Sequence, residues 1–156
     1  MLQTNPWELI RSLQSVIISS VLNDNVPHTS YAPFIEHEES FYIFTSMMAT
    51  HTKTLLQNQT VSLLFIEDES KSHNIFARKR VTFHADVTAI ERESIVYNGT
   101  ITLFEDKFGD MANIYKTMKD FQLFKLIPVR GRAVFGFGQA YDFKEGSFQN
   151  INVGMK

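Results

Sequence analysis

The chain contains no cysteine. Disulfides, thiolate metal centres and cysteine nucleophiles are therefore excluded. It also lacks any apolar run approaching the ~18 residues of a membrane span. A basic surplus is missing too: 15 Lys and Arg face 17 Asp and Glu, a formal net charge of −2. That balance argues against nucleic-acid binding, which draws its affinity from an excess of cations. The first residues, MLQTNPWELIRSLQ, place Glu8 and Arg11 inside their apolar pattern and show no signal-peptide layout. A cytoplasmic protein without membrane attachment is expected.

Familiar catalytic spacings are absent as well. The five histidines (His28, His37, His51, His73, His84) form no HxH, HxxxH or HExxH pattern, so no metal site of sequence-local ligands is expected. There is no GxSxG, Walker loop or GxGxxG. Gly136-Phe137-Gly138 lacks the third glycine and the following helix.

What is present is aromatic and β-rich. Fourteen Phe in 156 residues supply material for one packed core or an interface, and the length fits a single domain over 1–156. Asn5-Pro6 ahead of Trp7 reads as the start of an N-terminal helix within residues 1–14. SVIISSVL (Ser15 to Leu22) and VPHTSYAPFI (Val26 to Ile35) read as strands about an NDN turn. Pro27 and Pro33 push the second toward an edge. SFYIFTS (Ser40 to Ser46) is a third strand, and MMATHTKTLLQN a helix with Thr50 as its candidate cap.

TVSLLFIED (Thr60 to Asp68) reads as a buried strand. RVTFHADVTAIE alternates between one apolar and one wet face. Ser94 to Lys119 is helical, broken near Phe108-Gly109-Asp110. FQLFKLIP (Phe121 to Pro128) and AVFGFGQAYDF (Ala133 to Phe143) give two further strands, the second bent at Gly136 and Gly138, ahead of a C-terminal tail over 144–156. The expectation is a mainly β, α+β domain: six or seven mostly antiparallel strands in a small barrel with short peripheral helices.

Three segments invite chemistry. At the junction Phe44-Thr45-Ser46-Met47-Met48-Ala49-Thr50-His51-Thr52-Lys53, hydroxyls run into a helix N-terminus, whose amides and dipole favour an anion; simple capping explains the same residues. In IFARKR, Arg78 and Arg80 can share one side of a strand and face an anion, or merely cap a solvated edge. Tyr31-Ala32-Pro33 can offer a ring and backbone groups to a planar ligand, or be a core tyrosine beside an edge proline. Met111, Met118 and Phe121 read as core.

Taken together, TSYAPF, FYIFTSMMATHTKTLL, VSLLFIEDESKSHNIFARKRVTFHADV and VFGFGQAYDF resemble the heme-utilization (Hug/Hut-type) branch of the pyridoxamine 5′-phosphate oxidase-like, FMN-binding superfamily. The likeness runs over about residues 12 to 145. It implies a split β-barrel homodimer with ligand clefts at the dimer interface. In flavin-binding members FMN lies there, and the matching positions are Thr45, Ser46, Thr50, His51 and Lys53, with Tyr31 and Ala32 beside the ring. In heme-degrading members heme occupies the cleft, and the arginine matching Arg80 lies near it, with Arg78 adjoining. Those enzymes use oxygen and a supplied electron donor to open the porphyrin and release iron. Their iron-ligating Gly-His tail element corresponds to Gly154-Met155, and the aspartate that orients that His to Asp120. The resemblance thus implies FMN or heme as cofactor, Arg80 as catalytic candidate, and Asp120 and Met155 on the proximal side.

Overall fold

The computed structural model describes residues 5–151. Helix α1 (Pro6–Ser12) starts as its sequence dictates: the Asn5 side chain accepts a hydrogen bond from the Trp7 amide at 3.0 Å, and Pro6 fills the first helical position. Strands β1 (Ser15–Val21), β2 (Pro27–His37) and β3 (Ser40–Ser46) follow, then helix α2 (Thr50–Gln57) and strands β4 (Thr60–Ile66) and β5 (Arg80–Ile90). Helices α3 (Ile95–Phe108) and α4 (Asp110–Lys116) part at Gly109, whose φ of 68° is left-handed. The chain then runs through β6 (Phe121–Val134), β7 (Ala140–Lys144) and β8 (Ser147–Ile151).

The antiparallel sheet runs β3-β2-β1-β4-β5-β6-β7-β8, and β3 also pairs with β6. That extra pairing closes six strands into a barrel and leaves β7 and β8 as an extension. The residues responsible lie in β6. One edge of this strand pairs with β5 over most of its length. Its other edge gives Phe121 to Leu126 to β3 and Gly131 to Val134 to β7.

The structure corrects several expectations. The two strands foreseen at 121–128 and 133–143 are one long β6 and a separate β7. Pro128 does not end β6, because the ladder to β5 shifts between His84 and Ala85, and residues 127–130 have no neighbour on the other edge. The glycines expected to bend the last strand instead make the turn between β6 and β7, with Gly136 and Gly138 at φ of 146° and 74°. Within the tail assigned to 144–156, β8 forms a hairpin with β7. The cap of α2 is Ala49, and Thr50 is already helical. Pro27 and Pro33 do stand where β2 has a single neighbour, since residues 27–33 pair only with β1.

Alternation fills the barrel. Val61, Leu63 and Phe65 of β4 and Val81, Phe83 and Ala85 of β5 point inward, and Trp7 packs its ring against Phe41, Phe83, Phe143 and Phe148. α1 is thus a plug. A second cluster joins Tyr42 and Phe44 of β3 and Leu123 of β6 to Tyr97, Ile101 and Phe104 of α3. Both faces of β3 are therefore covered, which explains its continuous apolar run.

Candidate functional site

The β3–α2 junction is pinned from within. Buried Thr52 bonds through its hydroxyl to Thr45 Oγ1 (2.7 Å) and to the Ser46 carbonyl (2.6 Å). The Ser46 hydroxyl donates to Asp120 Oδ2 (2.8 Å) and accepts from the Met48 amide (3.1 Å). The Met47 amide donates to the Asp120 carbonyl (2.7 Å). Further along, buried Ser20 donates to Thr54 Oγ1 (2.7 Å), and Thr54 donates to the His51 carbonyl (2.8 Å). Hydroxyls that suggested an anion cradle are thus largely engaged in holding α2 to β3 and β1.

Beside this junction opens a cavity of about 680 Å³, within the range typical of cofactor pockets. Gln14, Ser15, Tyr31, Ala32 and Pro33 line one side. Phe44, Thr45, Ser46, Ala49 and His51 form the next, and Phe104, Phe108, Met111 and Phe121 complete it. No Lys, Arg, Asp or Glu is among them. Its wall is aromatic and uncharged, with a strip of hydroxyls at the junction. The His51 imidazole is held below the usual histidine value, first by burial and then by nearby His28.

Of the residues singled out in the sequence, the cavity brings together Tyr31, Ala32, Thr45, Ser46 and His51. Asp120 touches this group through Ser46. Thr50 and Lys53 are exposed and outside the lining. Arg78 and Arg80 lie elsewhere in the same chain. Arg78 clamps the β4–β5 connection, its guanidinium donating to the Glu67 carbonyl at 3.1 and 2.5 Å, and Arg80 donates to the Arg78 carbonyl (2.9 Å). Arg80 pairs across to Ile66 on β4, while the cavity begins at Ser15 on β1. Two strand spacings, about 10 Å, separate β5 from β1. Met155 lies outside the described residues.

Reading the sequence missed Phe104, Phe108, Gln14 and Ser15, and took Met111 and Phe121 for core. Phe104 and Phe108, four residues apart on one helix, carried the only usable signal. Among the described residues no cluster of three or more His, Cys, Asp or Glu could hold a metal, and no helix is long and apolar enough to cross a membrane.

The family model described as pyridoxamine 5′-phosphate oxidase matches residues 7–135. The chain belongs to that family. HutZ, a heme oxygenase of Vibrio cholerae serotype O1, is 40% identical over 115 residues, which are 74% of this chain and 65% of that protein. A crystal structure of HutZ, there named a heme storage protein, superposes with a TM-score of 0.75 at 33% identity, covering 78% of this chain and 86% of that one. Campylobacter jejuni ChuZ superposes at 0.85 and 30% identity, over 93% of this chain and 60% of its own. The chain thus spans about two thirds of the length of HutZ and less of ChuZ. An FMN-binding, pyridoxamine 5′-phosphate oxidase-related protein of Nostoc punctiforme shares the fold alone, at TM-score 0.71 and 12% identity over 96% of this chain and 93% of its own.

Proposed function

We propose that this chain is a cytoplasmic heme-handling protein that works as a homodimer. It would hold heme in the aromatic cavity and, with oxygen and an electron donor, open the porphyrin to release its iron. The observation that carries this reading is the cavity wall: broad, aromatic and free of charged side chains, it suits a large planar apolar body. The relationship to HutZ and ChuZ points the same way. Heme, when bound, supplies the iron and its chemistry with oxygen and electrons.

The chain's own residues supply position and surroundings. Phe44, Phe104, Phe108 and Phe121 exclude water from the cavity. Tyr31, 66% exposed, stands at its mouth. Thr45 and Ser46 offer the polar end, with Thr50 and Lys53 at the outer rim of α2 for a carboxylate or phosphate. Asp120 keeps Ser46 in place by accepting its hydroxyl.

Arg80 enters through the dimer. Register places Tyr31, Ile17, Leu64 and Thr82 in one row on the outer face of the barrel, two residues along from Pro33, Ser15, Ile66 and Arg80. That face is apolar over Ile17, Leu64 and Ile66. A second copy seated on it brings its own Arg80 toward the cavity of the first, where a guanidinium pairs with an anionic group.

A second reading has its own observation. The β3–α2 junction borders the cavity, and exposed Lys53 on α2 could meet a phosphate there, so an FMN-dependent oxidoreductase is the alternative. A carrier that binds heme or flavin without turnover is the third. Titration of the purified protein with hemin and, separately, with FMN decides among them. A saturable Soret band at one heme per subunit with weak FMN binding supports the heme reading. Tight FMN binding that Lys53→Ala abolishes, with no saturable hemin binding, overturns it. Heme that persists under oxygen and reductant assigns the carrier role.

A further inference from the structure

We infer that the His51 imidazole is the nitrogen ligand for the iron of a heme seated in this cavity. This rests on the heme reading above and assigns to the iron a ligand on α2. Three cavity-lining side chains could ligate iron: His51, Met111 and Tyr31. Tyr31 could ligate only as a phenolate, and it is 66% exposed at the cavity mouth. Met111 offers a soft thioether on the short helix α4 and is 51% exposed. His51 offers a stronger nitrogen donor, and a neutral imidazole is the form that binds a metal.

Its lone pair is uncommitted. Among the described residues no hydrogen bond engages either ring nitrogen, although the side chain is half-buried against the cavity. Burial and the neighbouring His28 both disfavour the charged ring. A neutral imidazole binds anions poorly, so the same feature that suits His51 to iron makes it a weak partner for phosphate.

The mount is rigid. Thr54 holds the His51 carbonyl and is itself held by buried Ser20 on β1, and Thr52 ties the same helical turn to Thr45 and Ser46 on β3. Two strands thereby fix the first turn of α2 and the direction from which its imidazole approaches the cavity, as a ligand requires.

The test is hemin titration of the full chain read by absorption and electron paramagnetic resonance, comparing wild type with His51→Ala, His51→Gln and Met155→Leu. The His51 variants should melt near the wild-type temperature. They should also bind hemin at least about tenfold more weakly with a displaced Soret band, restored by free imidazole, a loss in line with disturbed metal ligation. Met155→Leu should keep the wild-type spectrum. Wild-type spectra in both His51 variants, or loss of the signature only in Met155→Leu, overturn the assignment while leaving heme binding standing. Failure of wild type itself to bind hemin removes the underlying reading and the assignment with it.

Discussion

At the residue scale, the firmest constraint lies away from the cavity. A Cβ added at Gly131 would stand 2.3 Å from the Thr82 carbonyl and 2.7 Å from the Phe83 ring. The first is backbone in a paired strand and cannot move aside cheaply. Gly131→Ala should therefore destabilise by about 1–3 kcal/mol, the usual cost of overpacking, seen as a lower midpoint in urea. His51 sets a second expectation, with a definite sign. Its folded-state pKa is lowered, so its contribution to stability is complete above about 6.5 and is lost as the pH falls through the depressed value. Wild type should lose melting temperature below pH 6.5 more steeply than His51→Gln, which has no proton to gain there. Equal slopes would count against a half-buried imidazole held neutral.

At the scale of elements, α1 illustrates how much a short helix can contribute. It has seven residues, yet its Trp7 stacks on Phe83 at 5.9 Å and meets Phe41 of β3 and Phe143 and Phe148 of the β7–β8 hairpin. Trp7→Ala should cost about 3–5 kcal/mol, whereas Glu8→Ala on the exposed side of the same helix should be nearly neutral. The junction between β3 and α2 makes a finer claim. Asp120→Asn keeps a group able to accept the Ser46 hydroxyl, whereas Asp120→Ala removes it. The alanine variant should lose about 0.5–1.5 kcal/mol and bind ligand more weakly, and the asparagine variant should lie between it and wild type.

Elements were also where the sequence was most readable, and for physical reasons. Strands covered on one face announced themselves by alternation, as in Val81, Phe83 and Ala85. The N-terminal helix announced itself by Asn5-Pro6. Where reading failed, a long-range partner had overruled a local signal. Pro128 reads as a stop, and only the shifted ladder and the empty edge beside it let β6 continue. Thr50 reads as a cap, yet the chain reaches α2 from Ala49. The cavity was half visible: its hydroxyls and Tyr31 cluster in sequence, but Phe104, Phe108 and Met111 arrive from helices fifty or more residues further along the chain. Arg78 looked like a ligand and is occupied by the Glu67 carbonyl, a contact no pattern of charges encodes.

For the whole molecule, the proposed dimer makes the sheet's outer face the decisive surface. Leu64→Asp places a carboxylate in the middle of that apolar row without touching the barrel interior. It should yield a folded monomer in analytical ultracentrifugation, with hemin affinity reduced because the partner's arginine no longer reaches the cavity. A dimer unchanged by Leu64→Asp would move the interface elsewhere and leave Arg80 without its assigned role.

The shared strand β6 carries one more consequence. Leu123, Phe124 and Leu126 sit between two ladders, to β5 and β3, and Gly131 to Val134 between β5 and β7. Residues 127–130 have one neighbour and an irregular register. Amide hydrogen exchange should therefore be slowest at the two ends of this strand and fastest in its middle, the reverse of a lone strand that frays from its tips. The place where the barrel divides is then also where it breathes, while Phe143 and Phe148 keep the β7–β8 hairpin fastened to Trp7 and Phe83.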